Sequence, residues 1–137
     1  LTLLGPTLRF EKEAVIALAG ADFQATLDGH AILNNASHRI SAGQTLELRQ
    51  AAHGCRGYLA IRGSFAAPPI LNSRSTDLRS GWGGFEGRAL QAGDVLPIES
   101  PNGSAGASPS QKSHASTTWS VELPTPNRGS AGASPYQ

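Results

Sequence analysis

The sequence has no methionine and only one cysteine, Cys55. A single cysteine excludes an intramolecular disulfide framework and any multi-cysteine zinc site. It makes a reducing compartment, the cytoplasm, the simplest expected location. Charge is also scarce: 15% of residues are charged, against the usual quarter, and 6% are aromatic. A net charge of +1 argues against a strongly basic nucleic-acid binder and against an acidic tail. No apolar run approaches the roughly 18 residues that a membrane span requires. No basic-then-apolar secretory signal opens the chain. The sequence therefore predicts neither a nucleic-acid partner nor a membrane partner. The missing methionine predicts a chain that is processed or is a piece of something longer.

Glycine and proline are plentiful, 16 and 9 in 137 residues, but they are unevenly spread. Residues 99–137 hold nine Ser, five Pro and four Gly, with Glu99, Lys112, Glu122 and Arg128 as the only charges. Trp119, Val121 and Leu123 alternate but are too few to bury a core. Such a segment cannot offset a backbone entropy cost of roughly 1–2 kcal/mol per ordered residue. It reads as a low-complexity, disordered Ser/Pro/Gly-rich C-terminal tail. Its word Gly103-Ser-Ala-Gly-Ala-Ser-Pro109 returns as Gly129-Ser-Ala-Gly-Ala-Ser-Pro135. Two copies are too few for a solenoid.

Residues 1–98 look different. Leu1–Leu4, Thr7–Phe10 and Ala14–Leu18 are short apolar or alternating runs. Gln24–Leu27 leads into Asp28-Gly29, a strong hairpin signal, with Ala31–Leu33 beyond it. His38–Ile40, Thr45–Leu48, Gly57–Arg62 and Val95–Ile98 continue the series, with turns at Ala42-Gly43 and Ala92-Gly93. No amphipathic helix of ten residues is present. Short strands separated by Gly, Asp and Asn turns predict an all-β barrel or sandwich. The stretch from Arg74 to Ala92 is predicted to be a long loop, because it carries four glycines and no strand pattern.

Six arginines lie between Arg49 and Arg88, opposed only by Asp77 and Glu86. Their planar donor forks suit a carboxylate or phosphate. The alternative is arginines on solvent-facing strand positions. Gly81-Trp-Gly-Gly-Phe-Glu-Gly87 fails as a nucleotide loop: Glu86 stands where a dinucleotide loop needs glycine, and no Gly-Lys-Ser/Thr follows. His30, His38, His53 and His114 belong to no catalytic or metal-binding spacing and read as exposed histidines. Cys55 reads as a small buried apolar group. Ser73-Arg-Ser-Thr-Asp77 is the richest polar stretch. Asp77 is suited to act as a base, and Ser75 and Thr76 to donate to an oxyanion. A hydroxyl-to-backbone turn is the competing reading.

Several motifs occur together and in order: Gly57-Tyr-Leu-Ala-Ile-Arg-Gly63, Pro68-Pro69, Ser73-Arg-Ser-Thr-Asp77, Gly83-Gly-Phe-Glu-Gly-Arg-Ala-Leu90 and Ala92-Gly-Asp-Val-Leu-Pro97. With Leu3–Phe10 and Leu18–Asp22 they resemble the allophanate hydrolase subunit 2 family, also called the biotin-dependent carboxyltransferase family. The resemblance covers residues 1–98. It implies a partial cyclophilin-like β-barrel and an allophanate hydrolase subunit 1-like partner. It also implies one of two activities on a small amide or carboxylate substrate. The first is ATP-dependent opening of 5-oxoproline to glutamate. The second is carboxyl transfer to urea from carboxybiotin, with the biotin carried by another domain. ATP use is implied by the resemblance alone. Also implied are Asp77, Ser75 and Thr76 as catalytic residues, and Arg74, Arg79, Gly83, Gly84 and Arg88 as substrate-binding residues; no metal is implied.

The chain departs from the family pattern in two respects. Members usually have glycine where Asn72 stands, and asparagine tolerates positive φ better than most residues. The pattern ends near Ile98, so the later part of the barrel is expected to be absent. A truncated, non-catalytic interaction module is the alternative to an enzyme fragment.

Overall fold

The computed structural model describes residues 1–99 and the backbone of residues 117–122. These residues form strands, turns and loops, and no helix occurs among them. The strands are β1 (Thr7–Phe10), β2 (Ala14–Asp22), β3 (Thr26–Leu27), β4 (His30–Ala31), β5 (Ser37–Ile40), β6 (Thr45–Glu47), β7 (His53–Ile61), β8 (Ser64–Phe65), β9 (Asp94–Glu99) and β10 (Thr117–Glu122). They build a seven-stranded antiparallel sheet, β4-β3-β6-β1-β10-β9-β8, and a three-stranded one, β5-β2-β7. The all-β expectation holds. The described strands remain two sheets and do not close into one barrel.

Alternation decides which residues enter the core, because successive strand side chains point to opposite faces. On β1, Leu8 and Phe10 are buried and Arg9 is exposed. On β2, Ile16 and Leu18 are buried. Leu8 sits directly opposite Leu46 of β6. With Ile40, Leu48, Phe23 and Ile98 these side chains form one cluster between the sheets.

The two predicted turns before β6 and β9 are present, with Gly43 at φ 88° and Gly93 at φ 86°. The Asp28-Gly29 hairpin is also present. Leu27 pairs with His30 across a two-residue turn, Asp28 at φ 46° and Gly29 at φ 81°. That is the type I′ geometry that matches strand twist. The Asp28 carboxylate then ties the hairpin to β6. Oδ1 accepts the Thr45 N–H at 2.8 Å and Oδ2 the Gln44 amide at 2.9 Å. These bonds, the Thr45 one first, hold the Asp28 carboxyl below its usual range.

One expectation is corrected, and one strand falls where no core was expected. Cys55 is exposed, not buried, and lies within β7. That strand starts at His53 and runs past the bulge between Gly20 and Asp22, beyond the core-packed part of the β2–β7 pair. Within the segment expected to be a disordered tail, residues 117–122 form β10. It inserts between β1 and β9, with Leu8 opposite Val121 and Trp119 opposite Leu96. An isolated alternating patch buries no core, but a strand paired on both edges satisfies its backbone through its neighbours. Glu99 ends β9, and the remainder of that segment, including His114 and both copies of the repeated word, lies outside the described residues.

Candidate functional site

The stretch from β8 to β9 contains almost all the polar residues singled out from sequence. It opens with a tight turn. Ile70 and Ser73 exchange backbone hydrogen bonds of 2.9 Å each way. Between them Leu71 has φ 48° and Asn72 φ 62°, so the position where the family resemblance led to an expectation of glycine does take positive φ.

Arg74 follows, and its side chain is held at one nitrogen. Nη1 donates to Ser64 Oγ at 2.6 Å, to the Phe65 carbonyl at 2.9 Å and to Glu99 Oε2 at 3.2 Å. Nε and Nη2 make no hydrogen bond with the described residues. One edge of the guanidinium is thus fixed by β8 and β9, and the other remains available as a planar pair of donors.

Arg88 contrasts with Arg74. Nη1 and Nη2 each bond Asp94 at 2.8 Å, Nε bonds Glu86 at 3.1 Å, and Nη1 also reaches the Ala89 carbonyl at 3.0 Å. The guanidinium lies 5.2 Å from the Phe85 ring centroid. Arg88 is saturated: it clamps the glycine loop to the start of β9. The clamp, with a further bond from the Gln91 N–H, lowers the Asp94 carboxyl to about 2. It raises Arg88 above its already high range.

Asp77 closes a turn. Its N–H donates to the Trp82 carbonyl at 2.8 Å, and its own carbonyl accepts from Gly81 and Trp82 at 2.9 and 3.1 Å. Oδ1 accepts the Arg79 and Ser80 N–H groups at 3.0 and 3.4 Å. The Ser80 hydroxyl, followed by these backbone bonds, lowers the Asp77 carboxyl below the usual range. An ionised carboxylate so stabilised is a weak proton acceptor at neutral pH. Arg79 is exposed, and its side chain makes no bond with the described residues.

Glycines occupy positions of close approach. A β-carbon at Gly83 would strike the Ser75 carbonyl, and one at Gly84 the Thr76 side chain. These contacts, with the Gly87 N–H donating to the Gly83 carbonyl at 3.0 Å, fill the loop with its own atoms. Within the loop the Gly81 amide donates to the Asp77 carbonyl and the Gly87 amide to the Gly83 carbonyl. Among the described residues no cluster of three or more His, Cys, Asp or Glu could hold a metal ion.

Next to the loop lies an open groove of about 500 Å³. Phe65, Pro68, Phe85, Leu90, Leu96 and Pro97 make its walls mostly apolar, and Arg74, Thr76 and Glu86 supply its polar groups. The structure thus brings Arg74, Thr76 and Gly84 together at one groove. Ser75, Asp77, Arg79, Gly83 and Arg88 do not line it. The six arginines do not converge on one pocket. Arg49 lies 3.8 Å from Glu47, Arg74 and Arg88 have the partners above, and Arg62 lines a separate groove. Sequence reasoning missed Glu99, placed in the tail, and Ser64, whose two-residue strand leaves no periodic signal. It also missed the apolar walls, which come from four separate segments.

Residues 1–130 match the family described as carboxyltransferase domain, subdomain A and B, and the chain belongs to that family. The match extends beyond residue 98 and includes β10. The chain is 45% identical over 98 residues to the C subunit of 5-oxoprolinase from Escherichia coli, an alignment that covers 72% of this chain and 32% of that protein. It therefore spans about a third of that relative's length. Among solved structures, the urea amidolyase of K. lactis superposes with a TM-score of 0.73 at 39% identity, covering 80% of this chain and 7% of that one. The urea carboxylase of Kluyveromyces lactis gives a TM-score of 0.73 at 36% identity, covering 91% and 11%. Among the described residues no helix is long and apolar enough to cross a membrane.

Proposed function

We propose that the chain is a portion of a 5-oxoprolinase-type subunit that acts with an allophanate hydrolase subunit 1-like partner on a small cyclic amide carrying a carboxylate. The observation that carries this reading is the half-used guanidinium of Arg74. Three acceptors fix Nη1, while Nε and Nη2 stay available beside the groove that Thr76 and Gly84 also line. A bidentate pair to a substrate carboxylate uses that fork without disturbing the anchor. In this reading the Thr76 hydroxyl, on the same groove, donates to the amide oxygen. Ser75 and Asp77 act as positioning residues, Asp77 by capping the turn that follows Thr76. The 45% identity to a 5-oxoprolinase component supports the substrate class. ATP use rests on the family resemblance alone, and this reading gives it no site on the chain.

Likeness to the two K. lactis proteins favours a second reading, carboxyl transfer to urea from a biotin carried on another domain. Urea has no carboxylate, so this reading leaves the Arg74 fork for the carboxylate being transferred.

The two readings separate in one assay. The purified chain is mixed with a subunit 1-like partner and ATP, and glutamate release from 5-oxoproline is followed. Release that requires both chain and partner is the expected result. Urea-dependent consumption of carboxybiotin without glutamate release selects the second reading. A complex that forms and does neither overturns both and leaves an interaction module.

A further inference from the structure

The outer face of the three-stranded sheet carries a charged groove that shares no lining residue with the one just described. Val15 of β2 pairs with Arg39 of β5. On its other side the Val15 carbonyl accepts the Arg62 N–H at 2.8 Å. Arg39, Val15 and Arg62 therefore form one row across three strands. Two strand spacings separate the arginine backbones by about 10 Å, a gap that two extended arginine side chains can bridge. All three residues line an open groove of about 310 Å³, with Glu13 and Ser41 at one end. Among the described residues neither Arg39 nor Arg62 makes an ion pair or a side-chain hydrogen bond. Glu13 lies within 4 Å of neither guanidinium, since no such ion pair forms. Like charges set on one sheet face repel, a cost that a bound anion offsets.

We infer that this groove binds an acidic α-amino acid. Its charge pattern, two guanidiniums and one carboxylate, is the complement of a ligand with two carboxylates and one ammonium. Each arginine takes one carboxylate through its donor fork. The Glu13 carboxylate accepts from the ammonium, and the Ser41 hydroxyl is available to the same end of the ligand. A simple dicarboxylate satisfies the arginines but leaves Glu13 facing like charge. The site thus discriminates by an attractive and a repulsive element together.

The test is an NMR titration of the full chain with L-glutamate and, separately, with succinate. Arg39→Gln and Arg62→Gln remove one donor fork each, Glu13→Gln removes the ammonium acceptor, and Arg49→Gln serves as an exposed control. The expected result is a saturable shift with L-glutamate, weakened about tenfold by either groove arginine change and unaffected by the control. Glu13→Gln weakens L-glutamate by a similar factor and leaves succinate unweakened. Three outcomes overturn the assignment: no saturable shift, an L-glutamate shift unchanged in Arg39→Gln and Arg62→Gln, or succinate binding as tightly as L-glutamate. All four substitutions are at exposed positions, and an unchanged thermal midpoint confirms that each variant is folded.

Discussion

Arg88 and Asp94 face each other through two parallel hydrogen bonds of 2.8 Å, which join the glycine loop to the first residue of β9. A fork-to-fork pair of this kind fixes orientation as well as distance. Asp94→Asn keeps the shape and removes the charge. It is expected to loosen residues 81–90 while leaving β1, β2 and β7 intact. Hydrogen exchange, resolved by peptide, checks this: exchange rises in the loop and stays constant in the β2–β7 pair. An unchanged loop would show that the clamp is incidental.

The same carboxylates set the acid limit of the fold. Asp94 titrates in the folded chain at about 2, and Asp28 and Asp77 are also lowered. An unfolded aspartate titrates near 3.9. A lowered folded value means that the stabilisation is complete above about pH 4 and is lost as pH falls toward 2. Urea melts at fixed pH should show a falling midpoint across that window and a flat one from pH 5 to 7. With Asp94→Asn the acid-side slope becomes shallower.

The turn at Leu71-Asn72 holds a leucine, 89% exposed, in a left-handed conformation with φ 48°. Nothing in its packing repays that strain. Leu71→Asn is expected to stabilise the chain by about 0.5–1 kcal/mol, because asparagine adopts this conformation at less cost. Asn72→Gly should be nearly neutral. Chemical denaturation of both variants measures the difference.

Gly84 has no room for a side chain, since a β-carbon there meets Thr76, and its φ is 54°. Gly84→Ala must therefore displace Thr76 from the groove wall. The expected cost is about 1–3 kcal/mol of stability, together with lost activity in the partner assay. Thr76→Ala in the same background removes the hydroxyl contact but leaves the β-carbon close and the positive φ in place, so it recovers only part of the stability and none of the activity.

Much of the strand series was legible because alternation and turn residues agree. Leu8 and Phe10, Ile16 and Leu18, and the Asp28-Gly29 turn each announce their place locally. The positive φ at Asn72 agrees with the expectation of glycine there that the family resemblance carried. β10 was not, because its stability comes from pairing with β1 and β9 and not from its own composition. The groove residues were legible only in part. Arg74 and Thr76 stand in one short motif and Gly84 in the next, but Ser64 and Glu99, which orient Arg74, are distant in sequence and common on surfaces. Arg88 is the reverse case: an arginine in a glycine-rich loop invites a substrate role, and in the structure Glu86, Ala89 and Asp94 take its donor groups.

Placing β10 inside the sheet makes a further prediction. A chain ended at residue 116 loses the strand between β1 and β9. Its thermal transition should broaden and shift down, and the exposed β1 and β9 edges should promote self-association. Size exclusion and calorimetry test this together. An unchanged monomer would remove β10 from the fold.

The central claim is that Arg74 presents a fixed, half-used fork to a substrate carboxylate. The most direct measurement is an NMR titration of the arginine side-chain N–H signals with 5-oxoproline. A saturable shift at Arg74, with the Arg88 signals unmoved and binding weakened about tenfold or more in Arg74→Gln, is the predicted result. Equal binding in Arg74→Gln, or a shift confined to Arg88, would contradict it.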